Sequence, residues 1–193
     1  MIPIPTERGH FVFESGFHGN LWMDLEALFL HPAKIEPLAS ELAERLAKHQ
    51  PEVVCGPLVE GAFLALMVAR QLGVPFTYSE RFERSAEDLY PFGYRVPRIL
   101  HQHLRGKRVA VVNDVISAGS AVRGTWTELE ALDAKPMAIG ALLIAGEWTS
   151  QFAAEKQIAV ESLETIANEL WPPDACPLCA RGEPLVRRIQ STC

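Results

Sequence analysis

A chain of 193 residues, 48% apolar and 22% charged, has room for one proper core and the composition of an ordinary globular protein. Its formal net charge of −6 argues against a non-specific nucleic-acid surface, and no apolar run approaches the roughly 20 residues of a membrane span. The start, Met1-Ile-Pro-Ile-Pro-Thr-Glu7, lacks the basic and apolar regions of a secretory signal, and four cysteines do not make a disulfide scaffold in a chain this long, so a reducing, cytoplasmic home is expected.

In chain order, residues 9 to 30 read as a small hairpin-like hood. Phe11 and Phe13 alternate with polar neighbours, Ser15-Gly16 and Gly19-Asn20 are turn chemistry, and Leu21 to Leu25 form a second short strand. His10 and His18 read as solvated loop histidines, with ligand contact as the alternative. Residues 32 to 49 have helical spacing: Ile35, Leu38, Ala39, Leu42 and Leu46 line one face, and Pro32 and Pro37 fit near the first turns. The buried strand Val53-Val54-Cys55 follows, with Cys55 a small core residue. It ends in the turn Gly56-Pro57-Leu58-Val59-Glu60-Gly61, and a helix is expected from Ala62 to Leu72, closing on Gly73. Such a Gly-bounded turn places backbone N–H groups at the C-terminal edge of a sheet.

Val74 to Tyr78 is the next strand. Phe82 to His103 then reads as a long irregular loop carrying Arg84, Arg95, Arg98 and the aromatics Tyr90, Phe92 and Tyr94, either functional or a solvated dimer contact. Val109 to Val112 is an apolar, β-branched run without polar alternation, suited to the centre of a parallel sheet. It leads through Asn113 and Asp114 to Ser117-Ala-Gly-Ser-Ala121, and then to a helix with Val122, Trp126, Leu129 and Leu132 on its inner face and Ser117 or Ser120 near its cap. Strand, acid, small loop and helix suit a phosphate, although an ordinary βα turn with Asp114 as a plain cap has the same composition. Met137 to Ala145 is another buried strand, ending at Gly146-Glu147-Trp148; the tryptophan suits packing, or stacking on a base. A helix from Ser150 to Lys156 and a strand from Ile158 to Leu163 complete the alternation. In the tail, Cys176-Pro-Leu-Cys179 has metal-ligand spacing. A structural zinc wants four ligands, and Cys193 with a histidine would have to complete the set, so an ordered turn or a dimer tail is expected instead.

Hood, Gly-bounded turn, long loop and strand–acid–loop–helix, in this order over roughly residues 9 to 163, resemble the type I phosphoribosyltransferase family. Gly9-His-Phe11, Ser15-Gly16 and Trp22-Met-Asp24 further resemble the hood of its orotate branch. The resemblance implies an α/β fold: a twisted, mostly parallel sheet of about five strands flanked by helices, with the hood at residues 1–31, the core at 32–163 in the same domain, and a tail at 164–193. It implies phosphoribosyl-diphosphate (PRPP) binding by Asn113, Asp114, Ser117, Ala118, Gly119, Ser120 and Ala121, and a pyrophosphate loop at Gly56, Pro57, Leu58, Val59, Glu60 and Gly61. Asp114 would order the ribose, and Arg81 and Arg84 would be the cations of a flap that closes over the leaving pyrophosphate.

The activity so implied is transfer of ribose 5-phosphate from PRPP to an orotate-like nucleobase in pyrimidine biosynthesis. Mg²⁺ would be carried by PRPP, with no confident metal ligand from the protein, and the chain would be a homodimer. Four departures motivate an alternative, a non-catalytic regulatory protein that senses PRPP or a nucleotide. Asn113 stands where an acid is usual, Glu60 where a small residue is, Glu14 where several members carry lysine, and Ala145-Gly146-Glu147-Trp148 where the orotate branch ends the strand on an Asp-Arg pair, so that Gly146 marks a lost charge.

Overall fold

The hood is held together by pairing between distant parts of the chain. In the computed structural model, which describes residues 5–13, 16–24, 26–83 and 92–187, β1 (Thr6–Val12) runs antiparallel to β2 (His18–Met23). Between them the Phe13 N–H donates to the Phe17 carbonyl at 2.8 Å, and Gly16 takes φ 80°. The second strand therefore starts and ends earlier than its apolar residues suggest. Glu14 lies outside the described residues.

After the single-turn α1 (Glu26–Phe29) comes α2 (Pro32–Ala47), which buries Ile35, Ala39, Leu42, Ala43 and Leu46 on one stripe. Pro32 sits in its first turn, where a missing N–H is harmless, and Pro37 is confined to its N-terminal half. The chain then alternates: β3 (Val53–Pro57), α3 (Glu60–Leu72), β4 (Phe76–Glu83), β5 (Phe92–Arg95), a 3₁₀ turn at Arg98–His103, β6 (Arg108–Ile116), α4 (Ser120–Ala131), β7 (Lys135–Ala145), α5 (Trp148–Lys156) and β8 (Ala159–Ile166).

Among the described residues the main sheet has six strands in the order β5-β4-β3-β6-β7-β8, one more than expected. Five are parallel. The sixth, β5, runs antiparallel to β4 with Arg81 opposite Tyr94 and Phe82 opposite Gly93, so the start of the supposed irregular loop and its Phe92–Arg95 segment are a β-ribbon. Short edge strands carry little apolar signal, which is why the sequence hides this one.

Period-two alternation divides the buried strands between two cores. Val54, Ala110 and Val112 face α2 and α3; Val53, Cys55, Val109 and Val111 face α4 and Phe152 of α5. Cys55 is fully buried, and burial pushes its thiol pKa up, as befits an inert core residue. Trp126 packs edge-on against Phe152 at 5.7 Å.

Strand order reverses between β3 and β6. β3 connects outward through α3 to β4, whereas β6 connects the other way through α4 to β7. In an open α/β sheet such a reversal leaves a crevice at the strands' carboxyl ends.

The tail is not separate from the hood. β9 (Leu170–Trp171) pairs with β2 as the third strand of its sheet, with His18 opposite Trp171. Beyond the short α6 (Pro177–Ala180), Val186 exchanges backbone hydrogen bonds with His10 and Val12 of β1.

Candidate active site

A cavity of about 720 Å³ opens over the crevice between β3 and β6. Its floor is the turn from Pro57 to Gly61 on one side and the run from Asn113 to Val122 on the other. Hood residues Val12, Phe13, Gly16, His18 and Trp22 form a wall, with Phe13 and Trp22 stacked at 5.9 Å.

Asp114 projects from the end of β6 and is 5% exposed. Its carboxyl pKa is pushed up to about 7, chiefly because burial penalises the charged form. Backbone N–H groups of Val115 and Asp114 partly offset this, and the charge of Glu60 adds to it. Glu60 is the first residue of α3 and lines the same cavity. The structure thus answers a question that the sequence leaves open: both carboxylates address one space.

Asn113 is on the cavity wall, but its amide is engaged. Its Nδ2 donates to the Val115 carbonyl at 2.8 Å, while Oδ1 abuts Gly61. Through this bond Nδ2 ties β6 to its own exit. Gly56 packs as tightly: a Cβ there would lie 2.4 Å from the Gly61 carbonyl oxygen. The Leu58–Val59 peptide is cis.

Gly119, at φ 72°, caps α4, so Ser120 is the first helical residue and neither serine side chain caps the helix. Ser117 Oγ instead accepts from Asn168 Nδ2 at 3.2 Å. The first turn of a helix leaves backbone N–H groups without intrahelical partners, and here residues 117 to 122 all line the cavity.

Trp148 lies directly over Gly119, where a Cβ would fall 1.9 Å from the ring. It stacks on Phe152 at 4.8 Å, so it packs the loop from behind and does not face Asp114. It lines a larger neighbouring cavity of about 1150 Å³ that shares Ser117, Ala118 and Ser120 with the first. The smaller cavity is the better candidate because it alone joins Asp114 to both turns.

Arg81 lines the Asp114 cavity from β4, its guanidinium 4.4 Å from the centre of the Phe92 ring. That contact spans the β4–β5 ribbon and orients the cation. Arg84, the other expected flap cation, lies outside the described residues.

Sequence reasoning missed the tail's contribution to the lining, Pro173 and Arg187. Nothing in Leu185-Val-Arg-Arg188 signals a site; the long-range pairing of Val186 with β1 puts Arg187 there. It also missed the surroundings of His10 and His18. Both are buried, so neither is a solvated loop residue.

The phosphoribosyl transferase domain model matches residues 24–172. Orotate phosphoribosyltransferase of Heliobacterium modesticaldum is 31% identical over 93% of this chain and 88% of its own length. The enzymes of the same name from Desulforamulus reducens and Caldanaerobacter subterraneus are 30% and 28% identical over the same 93% of this chain, covering 87% and 88% of their own lengths. Among solved structures, orotate phosphoribosyltransferase from Aeropyrum pernix superposes with a TM-score of 0.64 at 22% identity, over 83% of this chain and 88% of its own. Adenine phosphoribosyltransferase from Thermoanaerobacter pseudethanolicus gives 0.65 at 16%, over 84% and 95%. With its helix-flanked sheet and a crevice floored by these two turns, the chain belongs to the phosphoribosyl transferase family.

Proposed function

We propose that this protein transfers the ribose 5-phosphate of PRPP to orotate, releasing pyrophosphate and forming a pyrimidine nucleotide. One observation carries the reading: Asp114 stands between the Gly56–Gly61 turn and the 117–121 loop, in a chain about 30% identical along most of its length to enzymes of that name.

Each part has a role that follows from charge. The first-turn N–H groups of α4 and the loop from Ser117 to Ala121 receive the 5′-phosphate. Asp114 accepts hydrogen bonds from the ribose hydroxyls and, once ionised, stabilises the positive charge that grows on the ring as its bond to pyrophosphate breaks. Arg81 approaches the leaving group from the β4–β5 ribbon, joined by Arg84 from the flap. Bond-making to the base nitrogen replaces the bond lost, so no covalent enzyme intermediate is needed; orientation and charge placement supply the acceleration.

Asp114 and Glu60 are hard oxygen donors facing one cavity, so a PRPP-bound Mg²⁺ fits them. Bound there, the ion supplies neutralisation of the diphosphate charge. Arg187 lines the same cavity as the hood aromatics Phe13 and Trp22, and serves the acceptor's carboxylate in place of the cations replaced by Glu14 and Gly146.

The chain works as a homodimer. Leu58, Val59, Phe63 and Leu66 form an apolar strip along the pyrophosphate turn and α3, each 40–53% exposed, which a second copy would cover. Phe63→Glu is expected to halve the mass measured by light scattering; an unchanged mass would place the interface elsewhere. The unbridged Cys55, Cys176 and Cys179 fit a reducing cytoplasm, and no helix among the described residues is long and apolar enough to cross a membrane.

The deciding experiment incubates the protein with PRPP, orotate and Mg²⁺, and follows pyrophosphate and nucleotide together. Stoichiometric formation of both, lost in Asp114→Asn, is the expected result. PRPP binding without turnover on any pyrimidine or purine base would favour the regulatory protein instead.

A further inference from the structure

Four side chains from opposite ends of the chain converge beneath the hood. His10 comes from β1, His18 from the start of β2, Cys176 from the N-cap of the single-turn α6 and Cys179 from within it. One ligand atom of each lies within 4.8 Å of all the others. His10 Nε2 is 3.2 Å from His18 Nδ1, 3.4 Å from Cys176 Sγ and 3.7 Å from Cys179 Sγ, and Cys179 Sγ is 3.3 Å from His18 Nδ1.

We propose that these four residues form a structural zinc site that fastens the C-terminal tail to the hood. Zn–N near 2.1 Å and Zn–S near 2.3 Å at tetrahedral angles require ligand separations of about 3.4 Å for N–N and about 3.6 Å for N–S. The four separations above, 3.2–3.7 Å, follow that pattern. Hydrogen bonding alone does not account for them. His10 Nδ1 lies 2.9 Å from the Glu183 carbonyl, which can accept only if that nitrogen carries the proton, leaving Nε2 with a single lone pair. Three potential donors crowd that one lone pair, whereas a metal ion satisfies all four atoms at once. The Glu183 contact is also the outer-shell hydrogen bond that fixes the tautomer of a metal-bound histidine.

Two thiolates and two neutral imidazoles select zinc, and four protein ligands leave no open coordination position. His10, His18 and Cys176 are buried, which excludes water from most of the site. The ion is therefore structural, although His18 also touches the cavity that holds Asp114. Its consequence for that cavity is local. The metal pins the segment that pairs through Val186 with β1 and brings Arg187 to the cavity wall. The spacing seen in sequence was thus half of a site, completed by two histidines some 160 residues earlier and not by Cys193, which lies outside the described residues.

The test measures metal without substrate, so its outcome is independent of the transferase reading. Untagged protein is purified without added metal, and zinc is quantified by mass spectrometry. Close to one zinc per chain is expected, lost in Cys176→Ser/Cys179→Ser and kept in Cys55→Ser and Cys193→Ser. Should the double variant fail to fold, cobalt exchanged into the wild-type protein decides. Tetrahedral d–d bands with thiolate charge transfer support the site, and octahedral or absent bands overturn it. Zinc well below one per chain after refolding with equimolar zinc, or zinc retained in the folded double variant, would equally overturn it. With the site confirmed, chelation is expected to lower the melting temperature and expose the tail to protease.

Discussion

Any side chain at position 61 would place its Cβ 2.1 Å from Oδ1 of Asn113. Gly61 belongs to the turn after β3 and Asn113 to the end of β6, so this contact sets how closely the two halves of the crevice approach. Asn113 cannot simply swing aside, because it is mostly buried and its Nδ2 is bonded to the Val115 carbonyl. Gly61→Ala should therefore break that bond or push the turn outward, costing about 1–3 kcal/mol. Asn113→Ala removes the obstacle, so the double variant should be more stable than the two single losses summed. Additive losses in denaturant melts would show that the contact does not set the spacing.

Asp114 makes stability and activity oppose one another. Its native pKa of about 7 lies well above the unfolded carboxyl's value near 4, so between these pH values the native state holds a proton that the unfolded state has lost. The contribution is fully retained below pH 4 and falls away as pH rises to 7, by about 4 kcal/mol at most. Asp114→Asn should abolish that fall, and be more stable than wild type at pH 8 but not at pH 4. Turnover should drop by roughly 10²–10³-fold, as for loss of one preorganised electrostatic group. Glu130 and Glu161 have lowered pKa values and the opposite pH dependence, so the difference between wild type and variant is the quantity to measure. Parallel curves for the two proteins would contradict the assignment.

Glu60 should act through Asp114 and through the metal. Its charge helps hold the Asp114 proton, so Glu60→Gln should lower the pKa of Asp114. It also removes a carboxylate that repels pyrophosphate in the absence of Mg²⁺. Calorimetry should then show PRPP binding that depends less on Mg²⁺ than in wild type. An unchanged Mg²⁺ dependence would mean that Glu60 does not address the diphosphate.

The crevice was legible in sequence because local chemistry builds it. Val109 to Val112 needs two covered faces, and Gly119 needs both its positive φ and room beneath Trp148. These demands are written within a few residues of each other. The β4–β5 ribbon was not legible, since Phe92 to Arg95 is short, interrupted by Gly93 and dependent on its partner for identity. The tail's place was hidden for a related reason. Leu170-Trp171 and Val186 become strand and bridge only against β1 and β2, more than 150 residues away. His10 and His18 likewise looked like solvated loop residues until the same pairing brought Cys176 and Cys179 to them.

Arg187 offers the sharpest separation of acceptor from donor recognition. It shares the cavity with Asp114 but belongs to the tail, and the stacked Phe13 and Trp22 line the same space, whereas the phosphate loop and Glu60 form the floor. A charge-assisted hydrogen bond to a base carboxylate is worth about 1.5–3 kcal/mol, so Arg187→Ala should raise the KM for orotate roughly 10- to 100-fold. The KM for PRPP should move little. Arg187→Lys should recover only part of the loss, because a point charge cannot reproduce a guanidinium's paired donors. Were both KM values to rise together, Arg187 would instead be meeting the diphosphate. Acceptor recognition would then rest on the hood aromatics alone, and bases without a carboxylate would compete on equal terms.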